Sequence, residues 1–259
     1  MSDPGFDPGI DVVVVNYRTP NDLERFVDSY ERSVHSMPSD LFIVDVEAAD
    51  DLKTNHHYTR FDTNVGYSGA CNYASMLGDR EVVAFFNADT ELFDNTLEQC
   101  YTALVENSDW GVLGPMQITR NGAITHAGVE GSPGKPRLRG WKSRALHKYR
   151  DTFESVTVFG SAYFVKRRCW EELTECPIFR QAYPHVAGAF LPTPHYYEET
   201  WCSYHAREHG WKVIYFGESV MYHEWHQASK LNGHVDRVLK PQSQKQFRAM
   251  CTLHGMVCD

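Results

Sequence analysis

The sequence predicts an α/β protein, a mostly parallel sheet flanked by helices, in a single domain with a C-terminal extension. Three observations carry this expectation. Short β-branched and aromatic runs alternate with segments of helical spacing over roughly 120 residues, as in chains of right-handed β-α-β crossovers. The runs are apolar throughout, as in strands buried on both faces. The 259 residues, 42% hydrophobic and 13% aromatic, can fill one large core.

The elements follow in order. Asp11-Val-Val-Val-Val-Asn16 reads as a buried strand. Pro20 and the acids after it suit a helix start, and Leu23, Phe26, Val27 and Tyr30 recur at helical spacing. Leu41 to Val46 is a second strand and His57 to Phe61 a third. Asn64-Val-Gly-Tyr-Ser-Gly69 is a glycine-containing loop, and Ala70 to Leu77 a helix. Glu81 to Phe86 is a fourth strand, Asn95 to Glu106 a helix, and Gly111 to Ile118 a fifth strand. Gly131 to Arg150 reads as a long loop carrying seven basic residues and no acid. Val156 to Val165 regains strand character, interrupted at Gly160-Ser161. Cys176 to Pro194, with four prolines, reads as another loop, and Tyr197 to His209 as a helix stopped by Gly210. Lys212 to Phe216 and Ser219 to His223 read as short strands. The expected organisation is a flexible leader at 1–10, a domain at 11–228 and a polar, partly helical tail at 229–259. Residues 11–118, which carry the strand–helix alternation, and residues 119–228 would form its two halves.

The formal charge of −9 argues against nucleic acid as a general partner. No apolar run reaches the roughly 20 residues that span a bilayer. The N-terminal residues lack the basic and apolar regions of a signal peptide. Seven widely spaced cysteines without a CxxC pair read as buried reduced thiols. The expectation is a cytoplasmic protein, with a peripheral position on the inner face of a membrane left open.

In parallel sheets ligands bind outside the carboxyl ends of the strands. That rule selects Asn16, Asp45, Asn64 and Asp89. Asp89, in Phe86-Asn-Ala-Asp-Thr90, could hold a divalent cation through oxygen or cap the next turn. Asp45 could accept from the imide of a pyrimidine or start a turn. The loop from Asn64 through Gly66 to Asn72 permits close backbone approach to a ligand. It has neither the dinucleotide nor the phosphate-loop spacing. Glu198-Glu199 could favour the helix dipole or supply a general base. His223 could complete a metal site or play a structural role. Trp141, Trp201 and Trp225 could stack on a sugar or pack the core.

Seven segments taken together resemble the GT-A glycosyltransferases of family 2, and within them a rhamnosyl- and galactofuranosyltransferase-like subgroup. They are Val13-Val-Val-Asn-Tyr17; Ile43-Val-Asp45; Asn64-Val-Gly-Tyr-Ser-Gly-Ala-Cys-Asn72; Phe86-Asn-Ala-Asp-Thr90; Phe159-Gly-Ser-Ala-Tyr-Phe-Val-Lys-Arg167; Tyr197-Glu-Glu-Thr to Gly210-Trp211; and Val220-Met-Tyr-His223 followed by Ser229. The order runs from about residue 11 to 229. The resemblance implies the Rossmann-like GT-A fold and an inverting transfer from a UDP- or dTDP-type sugar to an acceptor hydroxyl.

It also implies roles by position. Asn16, Arg18, Asp45, Asn64, Gly66, Asn72 and Asn87 would bind the nucleotide. Asp89 and His223 would hold Mn²⁺ or Mg²⁺. Glu199 would be the catalytic base, with Glu198 the next candidate. The implied partners are a nucleotide-sugar donor and a glycan, lipid-linked or protein acceptor, with oligomeric state open. The sequence departs from the family pattern where Asn87 replaces the first Asp of a DxD element and Glu198-Glu199 replaces Glu-Asp. Trp201 and His205 stand where a third acid and an Arg are usual, and Val46 follows Asp45 in place of a second Asp.

The basic block from Lys135 to Arg150 is read as a mobile loop over the donor diphosphate or toward an anionic acceptor, or as a solvated surface loop. A catalytically inactive nucleotide- or carbohydrate-binding module on the same fold is the alternative from another class. A nucleotidyltransferase is a further alternative, but a glycine-rich basic loop after the first strand is missing: Asn16-Tyr-Arg-Thr-Pro20 stands there. A zinc protein is disfavoured, since the reading finds no close Cys/His ligand spacing.

Overall fold

The computed structural model describes residues 5–33, 37–133, 135–224 and 235–258. Strands β1 (Asp7–Tyr17), β2 (Ser39–Val46), β3 (His57–Phe61) and β4 (Arg80–Asn87) alternate with helices α1 (Pro20–Ser33) and α2 (Gly66–Ala74). Then come β5 (Thr90–Leu92), α3 (Thr96–Glu106), β6 (Trp110–Ile118), β7 (Ile124–His126), β8 (Val129–Ser132), β9 (Lys135–Leu138) and β10 (Thr152–Glu154). The chain continues through β11 (Ala162–Lys166), α4 (Arg167–Thr174), α5 (Pro177–Ala182), α6 (Glu198–Glu208), β12 (Lys212–His223) and α7 (Lys240–Leu253).

The main sheet runs β10-β12-β6-β11-β4-β1-β2-β3, with β5 beside β12 and β7 beside β6. The β4-β1-β2-β3 block and the β6-β12 pair are parallel; β11 runs antiparallel between them. This is the mixed, mostly parallel α/β architecture expected from the alternation of apolar runs.

Why those runs lack alternation is visible in β1 and β4. Val13, Val15, Val83 and Phe85 enter the core on one face, with Ala70, Trp170, Leu173 and Cys202. Val12, Val14, Val82, Ala84 and Phe86 enter the other, with Leu23 and Phe26 of α1 and Leu97 and Leu104 of α3. Side chains alternate between faces along a strand, so a sheet covered on both sides needs apolar residues at every position. At the amino end, Asp11 and Arg167 form a buried ion pair at 2.5 Å that ties β1 to α4. Both remaining arms of the Arg167 guanidinium donate to backbone, at Ser75 O and Arg80 O.

Several expectations are corrected. β1 begins at Asp7 and buries Ile10, so residues 7–10 are strand, while residues 1–4 lie outside the described ones. α2 starts at Gly66, four residues earlier than expected, so Gly66 to Gly69 of the glycine loop are helix. The basic segment is a hairpin, β8-β9, followed by a short 3-10 turn at Leu146–Tyr149. Arg139 there pairs with Asp151 at 2.7 Å and lies over the Tyr149 and Phe153 rings. Acids flanking the block thus engage part of its charge.

The stretch from Cys176 to Pro194 contains α5, opened by Pro177 at its first turn. The strand expected from Val156 is reduced to β11, and the two short strands expected after Gly210 are one, β12, with a register shift between Phe216 and Val220. In the tail, α7 buries Phe247, Met250 and Cys251 against Trp201 and Phe179. Cys251 and Cys258 are joined as a disulfide, so the expectation of seven reduced thiols holds for only the other five, all buried. Among the described residues no helix is long and apolar enough to cross a membrane.

Candidate active site

Parallel pairing of β1 with β2 sets Asn16 opposite Asp45 at the carboxyl end of both strands. Asn16 Nδ2 donates to Asp45 Oδ1 at 2.9 Å, and the Tyr58 hydroxyl donates to Oδ2 at 3.2 Å. Burial pushes the Asp45 carboxyl up, against the lowering effect of those two hydrogen bonds. Each oxygen keeps a further lone pair for an incoming N–H. Just beyond, Arg18 and Glu47 both adopt positive φ, 58° and 53°, and pair at 2.7 Å. Two left-handed non-glycine residues at one strand edge are the kind of stored strain found at binding sites.

Asn64 Oδ1 accepts from the Gly66 N–H at 2.8 Å, and Gly66 sits at φ +73°. This Asx turn feeds the start of α2. Asn72 does not reach the site. Its amide is buried and clamps the backbone of Phe190, accepting from Phe190 N and donating to Phe190 O at 3.1 and 2.9 Å. Those bonds hold the Phe190 backbone against α2.

The turn after β4 is built by backbone bonds. Ala88 N donates to Val15 O, and Thr90 Oγ1 to Asn87 O at 2.7 Å. β5 then pairs Thr90 with His223 of β12, and Glu224 N donates to Asp89 O. The result sets His223 Nε2 3.6 Å from Asp89 Oδ1. The other imidazole nitrogen, Nδ1, lies 2.9 Å from Gln117 Oε1. A carbonyl oxygen only accepts, so Nδ1 carries a proton, and Nε2 is the nitrogen that faces the carboxylate. An imidazole oriented by a buried amide oxygen, facing a carboxylate at this distance, fits a divalent cation.

Gln117 connects this pair to the catalytic candidates. Its Oε1 also accepts from Ser161 Oγ at 2.7 Å, and Ser161 O accepts from Asn87 N. The neighbouring Gly160 packs closely on Glu199: a Cβ there would lie 3.3 Å from Glu199 Cβ and Cγ. Gly160 O accepts from the Tyr67 hydroxyl at 2.7 Å. The segment 160–161 therefore touches Glu199, Asn87, Gln117 and the first turn of α2.

α6 begins after two consecutive left-handed residues, Tyr196 at φ 67° and Tyr197 at φ 72°. That bend places Glu198 and Glu199 in its first turn. Glu198 is 6% exposed and its Oε2 accepts from Thr193 Oγ1 at 3.1 Å. Glu199 is partly exposed, and its Oε2 has no hydrogen-bond partner among the described residues. Burial raises the pKa of both acids, and Glu199 raises that of Glu198 further.

Trp201, a sugar-stacking candidate, is fully buried against Phe179 and is a core residue. Trp225 and Ser229 lie outside the described residues. Two further residues of the site, Gln117 and His126, lie outside the sequence-predicted set. Gln117 is a polar residue inside the buried run of β6, and that placement was its signal. His126, paired with Gln117 across β6 and β7, is 2% exposed and has neither ring nitrogen bonded among the described residues. Burial, aided by His223, drops its pKa to about 3.

A family model described as Glycosyl transferase family 2 matches residues 11–153. No curated protein matches the sequence. Among solved structures, a mannosyltransferase, PcManGT from Pyrobaculum calidifontis, in complex with GDP-Man and Mn²⁺, aligns at TM-score 0.58 with 15% identity. It covers 97% of this chain and 66% of its own. GalNAc-T7 with UDP, GalNAc and Mn²⁺ aligns at 0.59 with 13% identity, over 85% of this chain and 44% of its own. S. aureus TarS aligns at 0.57 with 14% identity, over 83% and 36%. The chain thus spans less than two thirds of each of these structures. At such identities they establish a shared fold.

Proposed function

The chain belongs to glycosyl transferase family 2, and on that premise we propose that it is an inverting glycosyltransferase. It would move a sugar from a UDP- or dTDP-type nucleotide sugar to an acceptor hydroxyl, with Mn²⁺ or Mg²⁺ as cofactor. The observation that carries the reading is the chain of contacts from Asp89 and His223 through Gln117 and Ser161 to Glu199. One segment, 160–161, joins a cation-binding pair to a carboxylate able to take a proton. The narrower likeness to rhamnosyl- and galactofuranosyl-type transferases rests on the order of the sequence motifs.

In this mechanism Asn16 and Asp45 meet the base, and the Arg18 guanidinium, exposed at the strand edge, is available to the ribose or diphosphate. Asn64 and Gly66 shape the turn beside the donor, and Asn87 positions the turn that carries Asp89. Asp89 and His223 Nε2 would hold the divalent ion, which when bound neutralises diphosphate charge and makes the nucleotide a better leaving group. Glu199 takes the proton from the acceptor hydroxyl as its oxygen attacks the anomeric carbon opposite the diphosphate. A carboxylate raised toward neutrality suits that task, because a base acts best with its pKa near working pH. Glu198, buried and bonded to Thr193, is the poorer base and the better anchor of α6.

The test is Glu199→Gln. Turnover with a UDP- or dTDP-sugar is expected to fall about 10²- to 10⁴-fold, the range of general-base catalysis, with donor affinity kept. Wild-type turnover in that variant would move the base to another residue. Retention of nucleotide binding with no transfer by the wild-type chain to any hydroxyl acceptor would favour the inactive binding module.

A further inference from the structure

α6 carries a second group of chemistry-bearing side chains at its other end. His205 and His209 are four residues apart and share one face of the helix. Cys176, which precedes α5, meets them there. The candidate ligand atoms of these three residues lie within 4.8 Å of one another.

We propose that Cys176, His205 and His209 form a structural Zn²⁺ site, separate from the divalent-ion pair Asp89 and His223. Several observations support it independently. His205 is fully buried, yet neither of its ring nitrogens has a hydrogen-bond partner among the described residues. Burying such polar atoms without partners costs a few kcal/mol, and native structures seldom tolerate it. A metal bond satisfies one of them.

His209 is already oriented. Its Nδ1 lies 2.9 Å from Glu172 Oε1 of α4, and Glu172 Oε2 accepts from Trp211 Nε1 at 2.9 Å. A carboxylate behind Nδ1 leaves Nε2 for a metal, the arrangement found around many zinc-bound histidines. Cys176 is a free thiol, since Cys251 and Cys258 pair with each other. A third imidazole, that of His254 in the tail, has its ring centroid 4.9 Å from that of His205 and a buried Nε2 without a hydrogen-bond partner among the described residues.

One thiolate and imidazole nitrogens select Zn²⁺ among common divalent ions; Mn²⁺ and Mg²⁺ prefer oxygen. Binding forms a Zn–S bond and two Zn–N bonds and releases the Cys176 thiol proton to solvent, with no change of oxidation state. The ion would pin the last turns of α6 to the α4–α5 connection, and so fix the helix whose first turn bears Glu198 and Glu199.

The experiment uses the full chain without a metal-binding tag. After dialysis into metal-free buffer, elemental analysis is expected to find about one Zn²⁺ per chain. Replacement by Co²⁺ should give a thiolate-to-cobalt charge-transfer band. Cys176→Ser should abolish that band. His209→Gln, at a partly exposed position that tolerates change, should weaken Zn²⁺ binding about 10- to 100-fold. Asp89→Ala should retain the zinc, and circular dichroism confirms that each variant is folded. Zn²⁺ or Co²⁺ uptake by wild type no greater than by the Cys176→Ser/His209→Gln double variant would overturn the proposal. So would loss of the metal in Asp89→Ala with its retention in Cys176→Ser.

Discussion

Replacing Gln117 by Leu tests the link between the cation pair and the rest of the site. Gln117 is fully buried and its Oε1 accepts two hydrogen bonds, from Ser161 Oγ and from His223 Nδ1. Leucine fills a similar volume but leaves both donors without an acceptor. Each orphaned buried donor costs about 1–3 kcal/mol. Against that, the Gln117 Nε2 group is itself unpartnered among the described residues, and its removal recovers part of the loss. A net destabilisation of roughly 2–4 kcal/mol follows, which lowers the melting temperature by roughly 4–16 °C in a domain of this size. Mn²⁺ affinity should fall as well, about 10- to 100-fold, because the imidazole loses the group that fixes its tautomer and orientation. The assays are calorimetric melting and Mn²⁺ titration in the presence of UDP. Gln117→Glu keeps an acceptor oxygen and should retain most of the affinity. Ser161→Ala removes only the second donor and should lower stability without weakening Mn²⁺ binding. Unchanged Mn²⁺ affinity in a folded Gln117→Leu protein would refute the reasoning.

Two further outcomes are expected. Gly160→Ala puts a Cβ 3.3 Å from Glu199 Cβ and Cγ, so Glu199 must shift by a few tenths of an ångström; turnover should fall roughly tenfold, since small misplacements are costly to catalysis, while Mn²⁺ binding holds; equal turnover would mean that Glu199 is not the positioned base. The pH dependence has a definite sign. Burial raises the Glu199 pKa, so its contribution to stability is complete below the ordinary glutamate value of 4.5 and declines as pH rises through the raised folded-state value. Glu199→Gln, which cannot ionise, should therefore gain stability relative to wild type from pH 4 to pH 8 in urea denaturation, and the rising limb of wild-type turnover should lie above the usual carboxylate range. A pH-independent stability difference would contradict the burial of that carboxylate.

Much of the sheet was legible because strands buried on both faces write continuous apolar runs. Val12 to Val15 and Val82 to Phe86 have no other reading once helical spacing separates them. Asn16, Asp45 and Asp89 were selected by the rule that ligands gather at strand carboxyl ends, and they lie at the ends of β1 and β2 and just after β4. What escaped depends on contacts remote in sequence. The tie between Gln117 and His223 spans 106 positions, and that between Asn72 and Phe190 spans 118. β5 is three residues long and exists by pairing with β12, so no local pattern announces it. The bonds of Asn72 to Phe190 were not legible because an amide in a glycine-rich loop reads the same whether it meets a ligand or a backbone. The His205-His209 spacing was visible on a helix that was correctly expected, yet without Cys176, 29 residues upstream and folded against it, the pair carried little meaning.

The central claim is that this chain binds a nucleotide sugar through a divalent ion held at Asp89. A panel of UDP-, dTDP- and GDP-sugars, read as thermal shift with Mn²⁺ or with EDTA, tests it most directly. A ligand at 100 times its Kd stabilises the folded state by about 2.7 kcal/mol, which in a domain of this size raises the melting temperature by roughly 5–10 °C. The account predicts such a shift for a UDP- or dTDP-sugar with Mn²⁺, lost in EDTA and in Asp89→Ala. No shift with any nucleotide sugar, or the same shift in EDTA and in Asp89→Ala, would contradict it.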